Sequence, residues 1–200
     1  PAATWETSLL AQRVRAYQGN LLDELVRAGR CSWLRLTPKK ATFGRQSGTL
    51  RNTPLAVMPR ADLRAWLELS APSDAVVPGG VAQAVLAHIE TYGASFFDDI
   101  VAASGLLPSQ CEAALDELAA AGLVTCDSFA GLRALTTPAA RRNGAGRRTR
   151  RSTQPGIDEA GRWDKLRRSD PETDVEHYSD EALQAVADTL LRRYGVVFRA

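Results

Sequence analysis

At 200 residues the chain has room for one large or two small domains, and its 44% hydrophobic content is enough to pack their cores. Three cysteines without close pair spacing (Cys31, Cys111, Cys126) indicate neither a zinc site nor a disulfide framework, and they suit small core positions in a reducing cytoplasm. No apolar run approaches the roughly 18 residues of a membrane span, and a net charge of +2 excludes a strongly polyionic protein. That small total hides a segregation. Residues 1–80 carry 11 Lys/Arg against 6 Asp/Glu, residues 81–132 carry 7 acids and no base, residues 133–151 carry 7 Arg and no acid, and residues 152–200 carry 7 bases against 10 acids.

In chain order, Trp5, Leu9, Leu10 and Val14 share one helical face. A second helix follows, capped by Asn20 and running through Leu22-Asp23-Glu24-Leu25 to Gly29. Cys31 to Leu36 reads as a strand, residues 37–53 as a loop carrying Lys39, Lys40, Arg45 and Arg51, and Leu55-Ala56-Val57-Met58 as the returning strand. Residues 62–69 form a short amphipathic helix, and residues 70–80, with two Pro and two Gly, a linker.

The clearest stretch comes next. A helix over 81–92 precedes a short helix, which Leu106-Leu107-Pro108 breaks. Ser109 with Glu112 predicts a capping box for a longer helix in which Cys111, Ala114, Leu115, Leu118 and Ala119 recur at helical spacing. Gly122 stops it in a left-handed conformation. Residues 123–126 and 132–135 then predict two strands around a turn. Three helices and a two-stranded wing make a winged helix. Residues 1–69 repeat it without a first helix: Leu22 aligns with Leu115, Leu25 with Leu118 and Gly29 with Gly122. Ser179 caps a last helix, and residues 191–198 align with residues 89–96, the start of a third copy.

The expected fold is therefore α+β and mainly helical, with tandem winged-helix domains. Residues 1–69 make the first domain, 70–80 a linker, 81–138 the second domain, 139–160 an Arg-rich flexible linker, and 161–200 a connector and the start of a third repeat. A chain opening at Pro1 without Met and stopping within a repeat is expected to be a piece of a longer protein.

No catalytic set stands out. P-loop, Gly-x-Ser-x-Gly and His-Glu-x-x-His motifs are missing, and there are only two His. Asp98 and Asp99 are adjacent on a helix and point about 100° apart, so they read as surface residues near its N-terminus. His88 reads as a boundary residue. No catalytic, cofactor or metal residue is assigned.

Nucleic acid is the partner the charge pattern suggests. The helix over 110–121 carries three acids and no base, so phosphates on either side of a groove would repel it. The basic character lies in Lys39, Lys40, Arg45 and Arg51 and in the run Arg141, Arg142, Arg147, Arg148, Arg150 and Arg151, which fits sequence-independent phosphate contact. Trp163, beside Arg162, is a candidate for base stacking, with a packing role as the alternative. One other reading of the charge pattern stays open, a scaffold or homo-oligomer in which the acidic surface of residues 81–132 meets a basic one such as residues 1–80 of a neighbour.

Several stretches together carry a family resemblance: Trp5-Glu6 with Arg13-Val14, Leu22-Asp23-Glu24-Leu25, Gly93-Ala94-Ser95-Phe96-Phe97-Asp98-Asp99-Ile100, Ala113-Ala114-Leu115-Asp116-Glu117-Leu118, residues 122–125 and 127–135, Gly161-Arg162-Trp163, and residues 190–198. They resemble the C-terminal region of Lhr, the large helicase-related ATP-dependent DNA helicases of bacteria. That region is in turn similar to AlkZ-type winged-helix DNA glycosylases, and this similarity implies, as an alternative reading, a non-catalytic part of a uracil- or alkyl-base DNA glycosylase. The resemblance implies a cytoplasmic parent acting in DNA repair, with a superfamily 2 helicase core that uses ATP and Mg ahead of the winged helices, and it implies base excision by a larger fragment. None of the ATP-binding motifs occurs in this chain, and no residue here matches a glycosylase acid.

Overall fold

The computed structural model describes residues 1–37, 49–70, 78–137, 156–166 and 178–195. A helical run opens the chain, passing from a 3-10 turn (Ala2–Thr4) through a wider π-type turn (Trp5–Leu10) to one turn of α-helix, α1 (Ala11–Arg13). Helix α2 (Gly19–Arg27) follows, then strand β1 (Cys31–Leu34), a 3-10 turn (Leu50–Asn52), strand β2 (Ala56–Pro59) and helix α3 (Leu63–Leu69). The second unit holds α4 (Gly80–Tyr92), β3 (Ser95–Phe96), α5 (Phe97–Ser104), α6 (Pro108–Ala120), β4 (Val124–Cys126), α7 (Phe129–Thr136) and β5 (Arg162–Lys165). Helix α8 (Asp180–Tyr194) comes last and packs on α3.

The fold is α+β, with tandem winged-helix units. In the first, β1 and β2 pair antiparallel with Trp33 opposite Val57. In the second, the three strands are antiparallel in the order β3–β5–β4, with Trp163 opposite both Ser95 and Cys126. The aligned Gly29 and Gly122 both close their helices at positive φ, 67° and 70°, where a Cβ is strained.

Three sequence expectations need correction. Residues 132–135 are not a strand but part of α7. Ser128 caps that helix, its hydroxyl accepting the Ala130 N–H at 3.0 Å. The helix is buried all round at Phe129, Ala130, Gly131, Leu132, Ala134 and Leu135, so no polar face marked its period. The strand that closes the second sheet is instead β5, so Arg162 and Trp163 belong to that sheet and not to a connector. The caps also differ. Leu107 precedes α6, Pro108 stands at its first position, and Gln110 Oε1 accepts the Leu107 N–H at 3.0 Å, in place of the expected Ser109 and Glu112. Likewise α2 begins at Gly19, ahead of Asn20.

Helix α8 matches expectation. Ser179 Oγ accepts the Ala182 N–H at 3.2 Å, with Asp180 and Glu181 in the first turn and Arg192 and Arg193 in the last, each set complementing the helix dipole.

One core runs through both units. Leu22, Val26, Trp33 and Leu50 of the first pack in a single cluster with Ile89, Ile100, Leu115, Leu118, Phe129, Leu132 and Trp163 of the second. At its centre Trp33 and Trp163 meet edge to face, ring centroids 6.2 Å apart at 83°, an arrangement worth about 1 kcal/mol beyond burial alone. The backbones lock alongside: Trp33 Nε1 donates to the Ser128 carbonyl at 3.0 Å, and Thr125 Oγ1 donates to the Trp33 carbonyl at 2.6 Å. A smaller cluster gathers Leu34, Met58 and Leu67 with Leu166, just past β5.

Candidate nucleic-acid interface

Helix α6 holds the position of a groove-entering helix, yet its C-terminal half is contacted by the first unit and by Gly79 just ahead of α4. Asp116 Oδ2 accepts the Leu50 N–H at 3.4 Å, Glu117 Oε1 accepts the Gly79 N–H at 2.7 Å, and Arg35 Nη1 donates to the Ala120 carbonyl. Burial pushes the Asp116 carboxyl above its ordinary range, against the opposing pull of the Leu50 N–H. Burial thus adds a steric obstacle to the electrostatic one read from the sequence. It also places residues of the first unit against the acidic helix within one chain.

Of the ten Lys and Arg side chains singled out for phosphate contact, Lys39, Lys40, Arg45, Arg141, Arg142, Arg147, Arg148, Arg150 and Arg151 lie outside the described residues. Arg51 is described and exposed. Its Nη1 donates to the Thr136 carbonyl at 3.4 Å, in the last turn of α7. The 3-10 turn holding Arg51 packs on α7. The turn follows residues 38–48 and Thr137 precedes residues 138–155, so one described end of each basic stretch lies beside the other.

Trp163 does not fit base stacking. It sits on the central strand of the second sheet, fully buried against Trp33, and is a packing residue. Its indole Nε1 is buried with no hydrogen-bond partner among the described residues.

The sequence reading missed Arg133, which belongs to the basic block by position but not by chemistry. Its Nε meets Glu6 Oε2 at 2.7 Å and its Nη1 meets Asp23 Oδ2 at 3.1 Å, the three side chains being 13%, 22% and 14% exposed. Tyr17 Oη donates to Glu6 Oε1 at 2.8 Å. The guanidinium also lies 5.8 Å from the centre of the Phe129 ring. Burial alone would raise the Glu6 carboxyl, but the hydrogen bonds from Arg133 and Tyr17 and the charge of Arg133 outweigh it and hold the carboxyl below its ordinary value. Hydrogen bonding to Glu6 leads the upward shift of Arg133, against burial. The available signal was a lone charge inside the apolar run Leu132-Arg133-Ala134-Leu135, which demands a buried partner.

Helix α2 is the other winged-helix helix to consider. Leu22 and Val26 are buried and Asp23 is drawn inward by Arg133, leaving Asn20, Glu24 and Arg27 exposed along one side. Arg27 lines a shallow groove of about 290 Å³ with Phe96, Asp127, Asp158, Glu159, Gly161 and Arg162. Arg162 Nε pairs there with Asp127 Oδ2 at 3.0 Å, and Phe96 is half exposed.

Among the described residues no group of three or more His, Cys, Asp or Glu could hold a metal ion. The cysteines are unpaired, and burial pushes the Cys126 thiol up to about 12, too high for a nucleophile at neutral pH. Asp98 and Asp99 are exposed in the first turn of α5, as expected for surface residues at a helix N-terminus. No described helix is long and apolar enough to cross a membrane.

Residues 1–51 match the family of the large helicase-related protein winged-helix domain. The chain is 27% identical over its whole length to the Lhr helicase/uracil glycosylase of Escherichia coli strain K12. It is also 27% identical, over 98% of its length, to the Lhr helicase/probable uracil glycosylase of Mycolicibacterium smegmatis. It spans 13% of the length of each. From end to end, then, this chain is similar to a segment of the Lhr proteins, and its first 51 residues are similar to an Lhr winged-helix domain.

Proposed function

We propose that this chain is a DNA-binding winged-helix module of an Lhr-like helicase, contacting phosphates through its basic segments. The observation that carries this reading is the Arg51–Thr136 contact. It sets one described end of the stretch that contains Lys39, Lys40 and Arg45 beside one described end of the stretch that contains Arg141, Arg142, Arg147, Arg148, Arg150 and Arg151, which supports both sets of cations acting on one duplex. Arginine clusters free of acids are the usual footprint of phosphate contact. The names of the relatives support the DNA reading, and the occluded acidic face of α6 keeps the contact away from that helix. In the whole protein, ATP and Mg would serve a helicase core outside this chain, in the cytoplasm and in DNA repair.

The test is whether both segments engage one short duplex. Changing Lys39, Lys40 and Arg45 to Ser, or the six arginines from Arg141 to Arg151 to Ser, should each weaken binding to the same short duplex at one-to-one stoichiometry. Full affinity after either change would overturn this account.

A further inference from the structure

We infer that α2, not α6, is the helix this chain presents to the major groove of duplex DNA, with Asn20 and Arg27 facing base edges. The inference rests on the DNA-binding reading above and goes beyond it, since that reading invokes phosphates alone.

Both units carry a helix at the equivalent place, and the structure separates them by exposure and charge. Asp116 and Glu117 of α6 serve as internal acceptors and its C-terminal half is covered. In α2, Asp23 is paired with Arg133 at 3.1 Å and drawn inward. What remains outward is Asn20, Glu24 and Arg27, at spacings of four and three that fall on one stripe. These are the side-chain types that match base edges in the major groove. Asn pairs with adenine, Arg with guanine, and Glu accepts from the cytosine amino group.

Flanking cations supply the phosphate contacts a groove helix needs. Arg13 and Arg15 stand exposed just before α2. Arg30 and Arg60 stand exposed together just after it, where the Arg60 N–H donates to the Arg30 carbonyl at 2.9 Å. Across the groove from Arg27, Phe96 offers an exposed ring, while Asp127 is tied to Arg162 at 3.0 Å. Asp158 and Glu159 stay exposed there and bound the surface on that side by repelling phosphate.

The test compares Asn20→Ala and Arg27→Ala with the unaltered chain on B-form duplex, single-stranded DNA and double-stranded RNA. Both residues are exposed, and unchanged thermal melting verifies the fold. Loss of one base-edge contact should weaken duplex binding about tenfold and leave single-strand binding unchanged. Double-stranded RNA, whose deep, narrow major groove admits no helix, should show no dependence on Arg27. Methylation of guanine N7 in the duplex with dimethyl sulfate should block the unaltered chain and cease to matter for Arg27→Ala. Equal losses on single strands and duplex, or duplex binding indifferent both to Arg27 and to N7 methylation, would overturn the α2 assignment and leave the phosphate reading standing. No binding of the unaltered chain to any of the three would remove both.

Discussion

Replacing Arg133 with Met keeps the stem that packs on Phe129 and removes the charge that Glu6 and Asp23 share. The ion pairs are short, 2.7 and 3.1 Å, and all three side chains are mostly buried. Deleting one partner of a buried pair costs about 3–5 kcal/mol, because the charge left behind is uncompensated. Partial exposure of Glu6 allows water to screen it, so about 2–4 kcal/mol is the fitting range. For a chain of this size that lowers Tm by roughly 5–15 °C. The loss should depend on pH. Glu6 is held below its ordinary value of 4.5 in the folded chain. Its contribution is therefore fully present above that value and disappears as pH falls through the lower, folded value. In Arg133→Met the same carboxylate is buried without its cation, so protonation relieves it and the gap between the two proteins narrows as pH drops from neutral toward 4.5 and below. Thermal unfolding by circular dichroism across that range reads both effects. A variant melting within about 1 °C of the parent at neutral pH, or a gap that does not change with acid, would refute the reasoning.

Three further outcomes follow from the core. Trp163→Ala should cost about 3–5 kcal/mol in chemical denaturation, whereas Trp163→Phe, if it folds, should bind DNA as the parent does, since the indole is buried and touches no ligand surface. Gly131→Ala would set a Cβ 2.8 Å from Cys126 Sγ and 3.2 Å from the Trp163 ring, an overpacking cost of about 1–3 kcal/mol visible as a lower Tm. Under mild alkylation at neutral pH, Cys31, which is partly exposed, should react ahead of Cys126, whose buried thiol sits near 12. Labelling of Cys126 first, read by peptide mass, would contradict that ordering.

Much of this architecture was legible because it repeats. The spacing of Leu22 and Val26 in α2, and of Leu115, Leu118 and Ala119 in α6, marks one buried face on each helix, and Gly29 and Gly122 end them in the same conformation. Helix α7 was not legible, because burial on all sides leaves an apolar run with no period, and Phe129 to Leu135 reads equally well as a strand. Strand β5 was hidden for a different reason. It pairs with β4 only after the chain has passed through residues 127–161, and pairing across such a span leaves no local signal. The site shows the same division. Clustered arginines are plain in a sequence, but composition cannot distinguish Arg133, consumed by Glu6 and Asp23, from cations that face solvent. Nor does an aromatic next to a basic residue reveal that Trp163 turns inward while its strand neighbour Arg162 faces out.

The most direct test of the phosphate-contact account is the affinity of this chain for duplex DNA as a function of salt, beside a variant with Arg141, Arg142, Arg147, Arg148, Arg150 and Arg151 changed to Ser. Each neutralised phosphate contributes about 0.9 to the slope of log affinity against log salt, so loss of six contacts should flatten that slope by about 5. Binding with an unchanged slope in the variant, or no binding by the parent chain at about 50 mM salt, would contradict it.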